Sequence, residues 1–256
     1  MTDPSLLIDP QQVIGRQWSD DPSPERRRLL ALARDALLFT LVTGQQSRFE
    51  RFRASSSGSG DASRAESPED LQGRMHQTAG FFRRLLDEAG SAQEREHIQV
   101  ILDALRFVSS HAQYRAFGEY LEHVEAKGPP YVMGAFDTKE EAEAWLKQHP
   151  EPPDAVPIVI GHTYYDAIYD FRANKVRLPR SRALEHYLAE LRGEDPPRAV
   201  ASFGRLEEAE AWLRSQPQPA RRAWVSIAGE FYLATYYANI NHRALYPLSI
   251  AAQNGS

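Results

Sequence analysis

The heptapeptide EEAEAWL occurs twice, at residues 140–146 and 207–213. Identical stretches with a helical pattern must form the same structure twice, so the chain has to accommodate two similar units, here 67 residues apart (207 minus 140). The likeness extends beyond the heptapeptide. Phe136 matches Phe203, Trp145 matches Trp212 and Pro150 matches Pro217 at the same offset. Further on, an offset of 68 aligns Gly161 with Gly229, Tyr164 with Tyr232, Tyr169 with Tyr237, Pro179 with Pro247 and Ser181 with Ser249, as though one residue had been inserted. Two copies are too few for a solenoid, which needs three or more stacked units.

Each copy has the same order of patterns. YVMGAF at 131–136 is strand-like, EEAEAWLKQ is helical, and VPIVIG and YYDAIYDF are strand-like runs joined by a tight hairpin near Gly161. AVASF, EEAEAWLRS, WVSIAG and EFYLATYYANI repeat that order, giving two β-α-β-β units at about 131–181 and 199–249. Between them, SRALEHYLAELRG places Leu184, Leu188 and Leu191 on one helical face. The segment V-x-G-x-F-x-T-x-E-E-A, Val132 to Ala142, resembles the sheet-and-helix repeats of small peptidoglycan-binding modules; the resemblance is short and implies a strand followed by a capped helix.

Residues 1–128 are helical in pattern. Ser23 and Pro24 suit an N-cap and first helical residue, and Leu29, Leu30, Ala33, Leu37 and Leu41 recur at helical spacing over about 24–52, with a break at Gly44. Residues 54–67, ASSSGSGDASRAES, are small and polar and read as a flexible loop; Gly58, Ser59 and Gly60 there do not complete a nucleophile elbow. Ser67 and Pro68 open a second helix carrying Leu71, Met75, Phe82 and Leu86. Ser91 and Glu94 form a capping box before a third, whose pattern runs through Ile98, Leu105 and Phe117 to Gly128 with a break near Ser109 and Ser110. The expected fold class is therefore α+β: a helical region at 1–128, then two tandem β-α-β-β repeats at 129–256 forming antiparallel or mixed sheet with helices on one face.

Composition narrows the chemistry. The chain has 256 residues, enough to bury roughly 70–75% of its unfolded surface without staples. It has no cysteine, which excludes disulfides, thiolate zinc sites, iron–sulfur clusters and thiol nucleophiles, and is compatible with a reducing cytoplasm. No signal-like N-terminus or membrane-length apolar run is present, so a soluble cytoplasmic protein without a membrane partner is expected. The net charge of −5 is spread evenly, with 16 basic and 19 acidic residues before Gly128 and 14 and 16 after it, which argues against nucleic acid even though 26 of the 30 basic residues are arginine. Neither G-x-x-x-x-G-K-[ST] nor G-x-G-x-x-G occurs, and no cofactor is expected.

The glutamates of the heptapeptide all have structural uses. Thr138 with Glu141 makes a capping box, Glu140, Glu141, Glu207 and Glu208 favour the positive end of a helix dipole, and Glu143–Lys147 and Glu210–Arg214 are i,i+4 pairs. Chemistry is better sought in the strand after each hairpin. In copy one, alternation puts His162, Tyr164, Asp166, Ile168 and Asp170 on a polar face and Thr163, Tyr165, Ala167, Tyr169 and Phe171 toward the core. With the offset of 68, Asp166 corresponds to Ala234 and Asp170 to Ala238. Tyr164, Asp166, Asp170, Tyr232 and Tyr236 are thus expected to meet a partner, tyrosine being favoured at recognition surfaces. The expected function is a non-catalytic protein-binding protein, an inhibitor or immunity-type protein neutralising its target; a homo-oligomer is compatible. The alternative is an enzyme or a small-molecule or metal-binding protein with a pocket at the repeat strands, where His162, Asp166 and Asp170 present an imidazole and two carboxylates.

Overall fold

The computed structural model describes residues 5–20, 23–55, 70–170, 173–193 and 198–254. They form two compact units, Met1–Gly118 and Glu119–Ser256. The boundary falls inside a helix rather than at Gly128, because the second half of that helix packs with the repeats.

The first unit is helical: α1 (Ser5–Ile8), α2 (Gln11–Asp20), α3 (Pro24–Val42), α4 (Gln46–Ser55), α5 (Leu71–Glu88), α6 (Ala92–Ser110) and the start of α7 (Tyr114–Glu125). The ends follow local chemistry. Ser23 caps α3, and Gly44, with φ of 66°, ends it by letting Gln45 N–H return to the Thr40 carbonyl at 3.0 Å. Asp70 caps α5 through Gly73 N–H at 2.6 Å; the expected cap at Ser67 and Pro68 lies outside the described residues, as does the loop from residue 56 on, while Ala54 and Ser55 end α4. Leu37, Phe39, Phe49, Phe82, Ile101, Phe107 and Phe117 are buried, with Phe39–Phe117 and Phe49–Phe107 ring centroids 5.3 and 5.6 Å apart. Each such side chain removed from water contributes roughly 1.5–3 kcal/mol. Buried Asp103 is held by Arg53 at 2.9 Å, by Gln99 at 2.9 Å and by Arg106.

The second unit is α+β, as the repeat requires. Copy one comprises β1 (Ala135–Phe136), α8 (Lys139–Gln148), β2 (Ala155–Ile160), β3 (Thr163–Asp170) and β4 (Lys175–Arg177). After α9 (Ala183–Arg192), copy two comprises β5 (Ala201–Phe203), α10 (Leu206–Ser215), β6 (Ala223–Ile227), β7 (Glu230–Tyr237) and β8 (His242–Pro247), with short 3₁₀ segments at Ala238–Ile240 and Leu248–Asn254. Each copy makes its own four-stranded mixed sheet, ordered β1-β2-β3-β4 and β5-β6-β7-β8; the first pair is parallel and the others antiparallel. The fourth strand extends the β-α-β-β expectation. A residue in the left-handed region reverses the chain into it, Asn174 at φ 50° and Asn241 at φ 48°.

Pairing registers correct the offset of 68. Ile160 pairs with Thr163 and Ile227 with Glu230; Asp170 pairs with Lys175 and Tyr237 with His242. Every one of these equivalences is 67, so no residue is inserted through the hairpin. Gly161-His162 therefore matches Ala228-Gly229. Asp166 corresponds to Leu233, Asp170 to Tyr237 and Tyr164 to Phe231. A register shift of one residue exchanges the two faces of a strand, so the copy-to-copy comparison is reversed in meaning.

The heptapeptide is scaffold in both copies. Ala142 and Leu146 of α8 pack on Val156, Ile158 and Ala167, and Ala209 and Leu213 of α10 pack on Val225, Ile227 and Ala234. Trp145 leans on Phe136 and Trp212 on Phe203 with centroids 5.4 and 5.6 Å apart and the same interplanar angle of 47°. On the opposite faces Val159 and Tyr164 of sheet one and Trp224, Leu233, Tyr237, Ala244 and Tyr246 of sheet two share a core with Leu184, Leu188 and Leu191 of α9, the three leucines expected to point inward.

Candidate functional site

The core shared by the two copies contains an aromatic, hydroxyl-bearing cluster. Tyr164, Tyr237 and Tyr246 are almost wholly buried. The Tyr164 and Tyr237 hydroxyls are hydrogen-bonded to each other, Tyr164 Oη donates to the Pro130 carbonyl at 3.1 Å, and the Tyr237 and Tyr246 hydroxyls lie 3.5 Å apart. Loss of hydration on burial pushes the Tyr246 phenol up to about 12 and drives Tyr164 and Tyr237 well above the ordinary tyrosine value. All three stay neutral, and none is poised as a base.

His123, near the end of α7, stacks on Tyr237 with centroids 5.8 Å apart and an interplanar angle of 24°. Its Nε2 lies 2.6 Å from the Pro129 carbonyl, which fixes the proton on that nitrogen and leaves Nδ1 buried without a partner. Burial, with Arg221 nearby, lowers its pKa against the opposing pull of the carbonyl. The chain must pass close to this ring: a Cβ at Gly128 would lie 2.6 Å from His123 Cε1, so only glycine fits. His242 at the start of β8 also stacks on Tyr237, at 6.1 Å, and is lowered by burial first and by His162 second.

The residues expected to meet a partner are divided between these environments. Tyr164 is 1% exposed and belongs to the core, a correction of the polar-face expectation that follows from its cross-strand partner Val159 facing α9. Asp166 is half-buried, and burial raises its pKa while a hydrogen bond from Ser181 lowers it. Asp170 accepts from Ala173 N–H at 3.1 Å and so caps the turn into β4. His162 is exposed in the hairpin turn. Among the described residues no three His, Asp or Glu side chains are gathered so as to hold a metal ion, so His162, Asp166 and Asp170 are not a ligand set. Phe171, expected to face the core, lies outside the described residues.

Tyr232 and Tyr236 lie on the same, α10 side of β7, four residues apart with Ala234 between them, and both are partly exposed. Tyr232 packs beside Ala209, Leu213 and Leu245, and burial followed by Glu230 raises its pKa. Tyr236 stands directly opposite Arg243 on β8, whose guanidinium lies 4.9 Å from the ring centroid; that of Arg221 lies 5.9 Å away. Tyr236 Oη donates to Asn241 Oδ1 at 3.1 Å, and Arg243 Nη1 donates to the same oxygen at 3.3 Å. Arg221 is paired with Glu122 of α7 at 2.8 Å. Arg221, Asn241 and Arg243 were missed by sequence reasoning. The signal that finds them is the constant offset of 67, which aligns Asn241 with Asn174 and Arg243 with Val176.

No described helix is long and apolar enough to cross a membrane. No protein-family model, curated protein or solved structure matches this chain.

Proposed function

We propose that this is a non-catalytic, cytoplasmic protein-binding protein of the inhibitor or immunity type, which engages its partner through the partly exposed side chains that β7 and β8 present beside α10. The reading rests on one observation: Tyr236 stands beside two guanidiniums, Arg243 and Arg221, with Tyr232 four residues earlier on the same side of the strand. Partly exposed tyrosine and arginine held rigid by a sheet combine large contact area with few rotors to freeze, the composition of binding hot spots. Tyr236 is further immobilised by Asn241, which lowers the ordering cost of association.

A photo-cross-linking amino acid at Tyr232, with a second placed at Arg177 on β4 as control, tests this in the native source. The expected result is one discrete cross-linked protein from position 232 and none from 177. Thermal-shift screening with metals and metabolites runs beside it. A ligand-induced shift abolished by His162→Ala or Asp166→Ala, with no cross-linked protein, would replace this reading with a small-molecule or metal-binding one.

A further inference from the structure

We infer that the Tyr236–Arg243–Arg221 patch is a receptor for a carboxylate carried by an acidic segment of the protein partner, with Glu122 occupying one of the two arginines in its absence. This rests on the protein-binding reading above and adds the chemistry that the partner must present.

The internal repeat supplies the reference state. Tyr169 in copy one is equivalent to Tyr236, and its hydroxyl donates to Asn174 at 2.6 Å as that of Tyr236 does to Asn241. The tyrosine–asparagine pair is thus part of the scaffold. At the same offset, Val176 stands where copy two has Arg243, and Asp154 where it has Arg221. The two cations are additions specific to copy two, and the fold does not need them to build the turn.

Arg243 is also under-satisfied. Its Nε is buried without a partner, and its outer nitrogens have only long bonds, 3.3 Å to Asn241 Oδ1 and 3.5 Å to the Gln216 carbonyl. Among the described residues no carboxylate lies within ion-pair distance of it. A guanidinium fork stacked on a ring, with no anion of its own, is matched by a planar carboxylate. Arg221 shows such a carboxylate in place: Glu122 Oε2 lies 2.8 Å away, with the glutamate side chain 67% exposed and the arginine 17%. An exposed glutamate is readily exchanged, because surface ion pairs contribute little net stability. The overall charge of −5 favours a short acidic peptide over a nucleic acid, whose dense phosphates the rest of the surface repels.

The test titrates the full chain with a short end-capped glutamate-rich peptide, its glutamine counterpart and a short oligothymidylate, following the Nε–H signals of arginine and the ring signals of Tyr236 by NMR. The glutamate peptide is expected to give saturable, salt-sensitive shifts at Arg243, Arg221 and Tyr236. Arg243→Val, which installs the residue that copy one carries at this register, should weaken binding roughly tenfold, the worth of one charged hydrogen bond. Glu122→Gln should tighten it severalfold by removing the internal competitor. Equal shifts at exposed arginines elsewhere, such as Arg177 and Arg205, equal binding of the glutamine peptide, or tighter binding of the oligonucleotide would overturn the inference. If the glutamate peptide fails while cross-links from Tyr232 still identify a protein, the carboxylate receptor falls and the protein-binding reading stands. If the peptide binds as expected and no protein cross-links, the protein-binding reading is the part that fails.

Discussion

The three buried tyrosines form a relay whose order can be read from proton counts, and conservative truncations should reveal it. Each phenol has one proton. Tyr164 donates to the Pro130 carbonyl, which leaves Tyr237 as the donor of the short contact to Tyr164 and, at 3.5 Å, the donor toward Tyr246. Tyrosine to phenylalanine removes only the hydroxyl and leaves no cavity to speak of, so the cost reports hydrogen bonding. Tyr246→Phe deletes only the acceptor at the far end of the long 3.5 Å contact and strands no proton, because Tyr237 still donates to Tyr164; it should cost less than about 1 kcal/mol. Tyr237→Phe removes the middle link and leaves the buried Tyr164 and Tyr246 oxygens without the donor they share, for roughly 1–3 kcal/mol, the cost of unsatisfied buried polar groups. Tyr164→Phe leaves the Tyr237 proton only the 3.5 Å contact to Tyr246 and also strips the half-buried Pro130 carbonyl of its donor, so it should be the most costly at roughly 2–4 kcal/mol.

Urea denaturation of the wild type and the three variants measures these differences, provided the slope with denaturant stays constant. The expected order of destabilisation is Tyr164→Phe, then Tyr237→Phe, then Tyr246→Phe. In a Tyr164→Phe and Tyr246→Phe double variant the costs should exceed additivity, because the Tyr237 proton then has neither acceptor. Tyr246→Phe costing as much as Tyr164→Phe, or strict additivity of the pair, would refute a relay running toward Pro130.

Acid should weaken the second unit. His123 and His242 are both held below the ordinary histidine value of 6.5, so the unfolded chain takes up protons first; their stabilising contribution is complete above that pH and is lost as pH falls below it, and His123→Gln should flatten the part of the denaturation-midpoint profile on the acid side of 6.5 that belongs to His123. Asp166, with its pKa raised by burial, acts in the opposite sense. Thr138 completes the capping box of α8, with its hydroxyl accepting from Glu141 N–H at 3.2 Å, whereas the equivalent Arg205 of α10 has no acceptor to offer; Thr138→Ala should cost about 1 kcal/mol and Arg205→Thr should gain a similar amount, by thermal or urea denaturation. Ala228 occupies the first turn position at φ 50°, so Ala228→Gly should raise the melting temperature by relieving roughly 1 kcal/mol of left-handed strain, in part offset by the entropy of the added glycine.

The helical unit, the two-copy plan and the role of the heptapeptide were legible in the sequence because each depends on chemistry local to a few residues. Ser23, Ser91 and Thr138 all cap helices as their spacing predicts, and Gly44 and Ser110 mark real breaks. The third antiparallel strand of each copy was not legible. Lys175–Arg177 is too short to show alternation, and in copy two Asn241 turns the chain with no glycine or proline to announce it. The core position of Tyr164 was hidden for another reason: β3 is covered by α8 on one face and packs toward α9 on the other, so the alternation of polar and apolar residues does not say which tyrosine is inside.

The misplaced offset has a physical origin in the turns. A two-residue hairpin needs positive φ at its first position, and in some types at both. Copy one places its glycine first, at Gly161 with φ 60°; copy two places it second, at Gly229 with φ 86°, and forces Ala228 into the left-handed region before it. Matching glycine with glycine therefore aligns different positions of equivalent turns and slips the strand by one. With the slip removed, the comparison changes its subject. Copy two has Leu233, Tyr237 and Ala244 on the face that closes over α9, while copy one has Asp166, Asp170 and Arg177 at the same places and cannot extend that core. On the other face the tyrosine–asparagine pairs coincide, and the substantive difference is arginine for valine beside Tyr236. A duplicated scaffold is held alike by the packing it must preserve, so a charge introduced where packing does not require one is where selection for a partner has room to act.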